Sequence, residues 1–427
     1  MALRIGINAQ IIPGRGVGGV EQVVIGLVYA LGKLTDGDEE YVILTSPAAP
    51  DWVRPYMGPN MQIVIRPTPT ESSKSVKFLK RIVPEPVKQL RREVREHIYC
   101  KKLSRIIRDD GLIKSNDGFL ESLHLDVVHF PFQAMELCAV PSVFNPHDLQ
   151  HLHLPSFFTR KQIRWRQRWY RISCQYAEAV VVASQWVRED IIQHYNIVKE
   201  KIYVIPFGAP TQAYKPLPPE VLDKVRSKFK LPDLFALYPA QAFAHKNHLR
   251  LIEAIAALRD KYSITVQLIC TGARKSFSRE IAELGLEKQV HFLGFVLPEE
   301  LRALYKLAQF VILPTLFEAD SFPLIEAWYE GTTVACANVT SLPQQSGDAA
   351  LLFDPWSVDS IASALVRMAT GRPLRERLRE NGRKRISLFT WEKCAKTHLA
   401  LYHKLAGYPL HGTDESLLKE AVDNPPF

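Results

Sequence analysis

FVILPTLFEADSFPLIEAWYEGTTVACAN, residues 310–338, contains the unit from which the rest of the chain is built. FVILPT is apolar without alternation and too short for a buried helix, so it reads as a strand covered on both faces. A polar loop carrying Glu318 and Asp320 follows. Ser321 and Pro323 then stand where helices open, Ser321 as the N-cap and Pro323 in the first turn. After the helix, Gly331 breaks the pattern and TVACAN supplies a second buried strand. A strand, a crossover helix and a second buried strand make a parallel, right-handed βαβ unit.

The same alternation runs outward in both directions. LRIGIN, YVILT, MQIVIR, DVVHF, PSVFN, AVVVAS and IYVIPFG read as strands before residue 209, and FALYPA, ITVQLICTG, VHFLGF and ALLFD after it. Helical spacing fills the gaps, as in VEQVVIGLVYALGKL and HLRLIEAIAALRD. Repetition of this kind means an α/β protein. IPFGAPTQAYKPLPPEV, residues 205–221, holds five prolines and continues neither sheet nor helix, so it reads as a linker. Each side is long enough for one doubly wound domain. Two such domains face each other across a cleft lined by the carboxyl ends of their strands, where ligands of this architecture bind.

The bulk properties agree. The chain has 427 residues, 47% hydrophobic and 23% charged, which excludes disordered, collagen-like and disulfide-scaffold classes. The net charge of +9 favours an anionic partner. Much of it is regional, with 12 basic and 5 acidic residues between Lys74 and Asp110. A basic helical insertion is expected at about 70–120. Its apolar positions Val87, Leu90, Val94, Ile98, Leu103 and Ile107 suit either packing on the core or contact with an anionic membrane or acceptor. RKQIRWRQRWYR, residues 160–171, carries six basic residues, and its Trp165, Trp169 and Tyr170 read as core packing. Neither basic stretch is set in a recognisable nucleic-acid fold, so no nucleic-acid partner is expected. The six cysteines form no CxxC and no zinc-like Cys/His spacing, which suits a reducing compartment. The opening MALRIGINAQ reads as a strand from Leu3 rather than a signal peptide. No apolar run approaches the roughly 20 residues of a membrane span. The expectation is a cytoplasmic protein, with peripheral contact at the inner membrane face left open.

Several motifs carry chemistry. Gly14, Gly16 and Gly19 spell GxGxxG between a strand and a helix. The second strand ends Leu44-Thr45-Ser46 without the acid that would bind a dinucleotide ribose, so the better reading is a glycine-rich loop whose Gly18-Gly19 amides approach a ligand closely. Asp36-Gly37-Asp38 resembles a metal-binding DxD, yet Asp-Gly is ordinary in a helix-to-strand turn. His147 follows a strand's carboxyl end, where an imidazole can donate to a sugar hydroxyl or a developing charge. Lys246 precedes a helix, a position opposed by the helix dipole unless an anion lies nearby. Such a cation would neutralise a departing nucleoside diphosphate. Glu318 sits in the loop before the helix and Glu326 one turn into it, with the helix N-terminus between them offering free N–H groups to phosphate. In this reading Glu326 accepts from ribose hydroxyls, the amides near Ser321 hold the diphosphate, and Glu318 faces the sugar.

Taken in order, GGVEQ, His147-Asp148, SQWVREDIIQHYNIVKEKIYVIPFG, HKN around Lys246, Glu318-x7-Glu326, SLPQQSGDAALLFDP and the final FTWEKCAKTHLALYHKL resemble glycosyltransferase family 4 over nearly the whole chain. The resemblance implies a GT-B fold of two Rossmann-like domains. Residues 1–208 would bind the acceptor, 209–390 the nucleotide sugar, and 391–410 would cross back to the first domain. It implies a retaining hexosyl transfer from a UDP- or GDP-linked donor, GDP-mannose included, to a glycan or lipid-linked saccharide, with no essential metal. His147, Glu318 and Lys246 become catalytic candidates. Gly18, Gly19, Gln241, Lys246, Ser321, Phe322 and Glu326 become donor-binding ones. Gln241 stands where the family usually has arginine, which leaves Lys246 more of the charge to carry, with help from His245 or Arg250. Ser321 replaces a frequent glycine and Gln344 a frequent glutamate. A non-catalytic nucleotide-sugar binder of the same fold is the alternative.

Overall fold

The computed structural model describes residues 2–14, 19–67, 117–209, 217–272 and 277–425. Gly16, Gly18, the basic segment 87–110 and the middle of the proline-rich linker lie outside the described residues.

Two parallel sheets form the molecule. The first has seven strands: β1 (Arg4–Asn8), β2 (Glu40–Thr45), β3 (Met61–Ile65), β4 (Val127–Phe130), β5 (Ser142–Phe144), β6 (Ala179–Val182) and β7 (Ile202–Val204). Their order is β3-β2-β1-β4-β5-β6-β7. The second has six: β8 (Phe235–Pro239), β9 (Gln267–Thr271), β10 (Val290–Phe292), β11 (Phe310–Leu313), β12 (Val334–Ala337) and β13 (Ala350–Phe353), in the order β10-β9-β8-β11-β12-β13. In each sheet the order reverses beside the first strand, the doubly wound pattern that opens a crevice at the strands' carboxyl ends. Every apolar run read as a strand is one, because a segment without a polar face must be covered on both sides.

Helices provide that cover. Gly19–Leu31 packs its buried Val23, Val24, Leu27 and Val28 on one face of the first sheet. The helix Trp391–Ala406 lies on the same side, contributing Trp391, Ala395, Leu401 and Tyr402 to that core. It therefore leaves the second domain's sequence and joins the first domain's packing. Its start is held where the Trp391 indole N–H donates to the Ala209 carbonyl at 3.0 Å. A Cβ at Gly26 would fall 2.0 Å from the Trp391 ring, and one at Gly208 would fall 2.4 Å from the Trp391 backbone nitrogen. These two glycines make the notch that admits the indole. Gly26→Ala is therefore expected to destabilise despite alanine's better helix propensity, by about 1–3 kcal/mol as overpacking costs. A lowered thermal midpoint checks this; an unchanged or raised one would show that the indole shifts freely.

The basic helix Arg160–Tyr176 begins with a capping box at Thr159 and Gln162. Tyr170 is buried and Trp169 packs on the core. Trp165 does not follow the expectation: one turn nearer the helix start, it is 57% exposed and stacks on Trp169 at 6.4 Å rather than entering the core.

Candidate active site

The site lies where loops after β8, β11 and β12 meet loops of the first domain. Lys246 ends a single turn, Ala244–Lys246, after β8. Asn247 follows in the left-handed region with φ 61°. Its side-chain amide donates to the carbonyls of Pro314 (2.9 Å) and Pro355 (2.8 Å). The His245 carbonyl accepts from the Leu316 N–H at 2.7 Å. The β8 loop is thereby stitched to the β11 loop, and the Lys246 ammonium donates to Glu318 in an ion pair.

Glu318 is clamped through its backbone. Its N–H donates to Thr340 Oγ1 at 3.0 Å, while its carbonyl accepts from the hydroxyls of Thr340 (2.5 Å) and Ser341 (2.8 Å). Asp320, two residues on, is buried. Loss of water, reinforced by the charge of Glu318, pushes its carboxyl up to about 8. A largely neutral acid thus sits beside the charged pair at pH 7.

Ser321 is the N-cap residue of the helix Phe322–Tyr329, and Pro323 is in its first turn. Two expectations fail here. The Ser321 side chain makes no capping bond. Its N–H is not free either, because it donates to Gln345 Oε1 at 2.9 Å. The Gln345 amide in turn donates to Asp320 Oδ1 at 2.7 Å. A buried glutamine thus holds the Ser321 N–H that was expected to face a ligand.

The first domain closes against this loop. Ser184 Oγ donates to the Ala319 carbonyl at 3.0 Å, and the Trp186 N–H donates to Gln344 Oε1 at 3.0 Å. Gln344, the replacement for a frequent glutamate, is therefore an interdomain acceptor. The Phe207 ring lies 6.0 Å from His147 on one side and 6.0 Å from Phe322 on the other. A Cβ at Gly19 would meet Phe322 at 3.1 Å. His147, Gly19 and Phe322 are thus gathered around Phe207. Asp148 is close enough to Glu318 for that charge to add to the burial that raises its carboxyl.

His147 holds a left-handed backbone, φ 62°, and its Nε2–H donates to the Pro131 carbonyl at 2.9 Å. Burial holds its pKa down at about 4. The neutral ring has no second N–H, so the donor role expected of it is corrected: Nδ1 can accept from a sugar hydroxyl and does not donate. His245 does not add the cationic help expected of it. Burial, with Lys246 nearby, holds His245 at about 3, and the Arg250 guanidinium is engaged by Asn247 Oδ1 at 3.0 Å and by the Trp356 ring. Gln241 sits beside Gly272, whose Cβ would fall 2.6 Å from the Ala240 carbonyl. Asp36 and Asp38 lie exposed between the first helix and β2, and among the described residues they belong to no metal-holding group.

Comparisons with known proteins bear on the family and the fold. A family profile described as glycosyl transferases group 1 matches residues 222–385, and one described as glycosyltransferase family 4 matches residues 17–213. The chain belongs to glycosyltransferase family 4. Among its relatives is the O-antigen chain mannosyltransferase B of Escherichia coli, 28% identical over 61% of this chain and 69% of that protein. Another is the MMP alpha-(1->4)-mannosyltransferase of Mycolicibacterium hassiacum, 28% identical over 56% of this chain and 60% of that protein. The Anabaena HepE structure in complex with UDP and glucose superposes with a TM-score of 0.64 at 17% identity, covering 94% of this chain and 100% of that one. That likeness bears on the fold, which is GT-B.

In this transferase Glu326 lies within the second domain. It is buried, and Tyr305 donates its hydroxyl to Glu326 Oε2 at 2.7 Å. Burial pushes the carboxyl up to about 7; the Tyr305 bond pulls it down and Glu330 pushes it up. Tyr305→Phe is expected to move this titration to higher pH and to cost about 1.5–3 kcal/mol, as loss of a hydrogen bond to a charged group does. The pH dependence of donor binding, with a thermal melt, checks both.

Sequence reasoning missed Asp320, Asn247, Gln345 and Tyr305. Asn247 had a signal, since asparagine tolerates the left-handed conformation before a helix. Asp320 was in plain view but had no partner in the sequence. Gln345 and Tyr305 act only across the fold.

Proposed function

We propose that this transferase moves a hexosyl group, mannosyl foremost, from a nucleoside-diphosphate sugar to a glycan or lipid-linked saccharide acceptor, with retention at the anomeric carbon. The observation that carries the reading is the Lys246–Glu318 ion pair at the mouth of the second sheet, with the first domain's Ser184 and Trp186 bonded to the same loop system. A diphosphate entering there offers Lys246 a more highly charged partner than one carboxylate. Glu318, released from the pair, turns to the sugar hydroxyls. The leaving phosphate stays close to the anomeric carbon and takes the acceptor's proton on the face it departs from. That front-face route retains configuration through an oxocarbenium-like state. No residue of the set requires a metal for this, since Lys246 supplies the positive charge.

The relatives that are mannosyltransferases favour a mannosyl donor, and the UDP in the HepE structure supports a nucleoside diphosphate in this cleft. The described cysteines Cys138, Cys174, Cys270, Cys336 and Cys394 are buried free thiols, which supports a reducing, cytoplasmic setting. No helix among the described residues is long and apolar enough to cross a membrane.

The test is a thermal-shift screen against GDP-, UDP-, ADP- and dTDP-sugars, followed by product analysis with the donor that stabilises most. Anomeric configuration is read by NMR. An axial-to-axial product from GDP-mannose supports the reading. Stabilisation without product from any acceptor would mean a binder, and an inverted product would exclude the front-face route.

A further inference from the structure

Beside the donor cleft, on the first domain, three side chains meet that neither the family chemistry nor the proposed reaction uses. His153 ends the short helix Gln150–His153. Asp190 and His194 lie one turn apart on the helix Gln185–Tyr195. His153 Nε2 is 2.8 Å from Asp190 Oδ1, and His194 Nδ1 is 3.0 Å from the same oxygen. One ligand atom from each residue falls within 4.8 Å of the others. The Asp190 side chain is only 4% exposed, whereas the imidazoles are 31% and 32% exposed. Asp190 Oδ2 is buried and accepts no hydrogen bond. A buried carboxylate with an unused oxygen, beneath two imidazoles open to solvent, is an unsatisfied donor set with a route in from water.

We propose that His153, Asp190 and His194 form a binding site for a divalent transition metal of the zinc type, which clamps the two helices and takes no part in sugar transfer. Two imidazole nitrogens and a carboxylate oxygen are a zinc donor set, leaving the fourth position to water. Bonds of about 2.0–2.2 Å in tetrahedral array require the two imidazole nitrogens to move a few tenths of an ångström away from Asp190 Oδ1, which they now approach at 2.8 and 3.0 Å. Without the ion, His153 Nε2–H and His194 Nδ1–H donate to the Asp190 carboxylate and carbonyl; for Nε2 and Nδ1 to ligate, the hydrogens move through solvent to His153 Nδ1 and His194 Nε2, with no net proton released. His194 Nδ1 gives up its 2.9 Å contact with the Asp190 carbonyl. The ion returns to the Asp190 carboxylate the neutralisation that burial denies it.

The position has a structural consequence. The His153 ring packs on Trp186 at 5.2 Å and on Phe317 at 5.5 Å. Phe317 adjoins Glu318, and Trp186 bonds Gln344. An ion at this site braces the first-domain wall against which the Glu318 loop closes.

The full chain, stripped with a chelator and then dialysed, is titrated with Zn2+ by calorimetry and with Co2+ by visible absorption. One saturable ion per chain, the intense ligand-field bands of tetrahedral Co2+, and a thermal midpoint that rises with ion concentration are expected. The double variant H153Q/H194Q removes both ring ligands while keeping an amide at each position, and is expected to lose all three signals, with circular dichroism showing that it remains folded even where its ion-free midpoint is lower. Absence of saturable uptake, or equal uptake by the double variant, overturns the site. Loss of transfer on chelation with recovery on Zn2+ would overturn its purely structural role.

Discussion

Lys246→Ala lowers kcat by about a hundred- to a thousandfold, the range lost when a charge-stabilising contact to a developing anion is removed. The argument rests on position. The Lys246 ammonium and the Glu318 carboxylate are mutually paired and both largely buried, at 19% and 14% side-chain exposure. His245 cannot substitute, because burial holds it neutral. Glu318→Gln is expected to lower kcat as well, and the K246A/E318Q double variant to fall short of the product of the single effects, since residues in one ion pair couple. Single-turnover kinetics with saturating donor separate this from a binding defect. Activity of K246A within a factor of about three of wild type would remove Lys246 from the reaction, since a real charge contact is worth far more.

Glu326→Ala raises donor KM by about ten- to a hundredfold, the worth of one or two hydrogen bonds to a charged acceptor. This carboxyl also imposes a pH dependence. Burial raises its pKa to about 7, so below that pH it is mostly protonated and loses acceptor capacity for ribose hydroxyls. Donor affinity is expected to fall as pH drops from 8 to 6, and Glu326→Gln is expected to flatten that profile. Stability carries the opposite sign. A carboxyl whose folded pKa lies above its ordinary value of 4.5 contributes fully at low pH and loses that contribution as pH rises through about 7. E326Q should therefore gain stability over wild type above pH 7, approaching roughly 3 kcal/mol by linkage. Parallel melts of the two proteins across pH 5–9 test this; a constant difference would place the titration elsewhere.

The nucleotide's two ends thus rest on different physics. Lys246 is a largely buried loop charge paired with Glu318, and on the proposed reading its effect falls on kcat. Glu326 acts from inside the second domain, and its effect belongs to donor binding and is tuned by Tyr305. Separating kcat from KM in the two variants distinguishes these roles more sharply than loss of activity alone.

Fold and chemistry were unequally legible in the chain. FVILPT, TVACAN and the other apolar runs need cover on both faces wherever they occur, so thirteen strands and two parallel sheets could be read locally. Glu318, Lys246 and Glu326 were recognisable because each sits at a set distance from a strand end or helix start. Their partners were not. Ser321 has the residue type of a cap, yet its N–H goes to Gln345, twenty-four residues away, and its hydroxyl is left without a bond. His147 has the residue type of a donor, but the Pro131 carbonyl takes its N–H. Cysteine and histidine spacing suggested no metal, because His153 and Asp190 are thirty-seven residues apart and meet only when two helices pack. Periodicity and composition determine which segments are strands, since burial of a short apolar run is a local necessity, while their ends are trimmed by the fold, as in β7, which stops at Val204. Tertiary structure alone decides which polar atom satisfies which, because a hydrogen bond or an ion pair is set by distance in space and not along the chain.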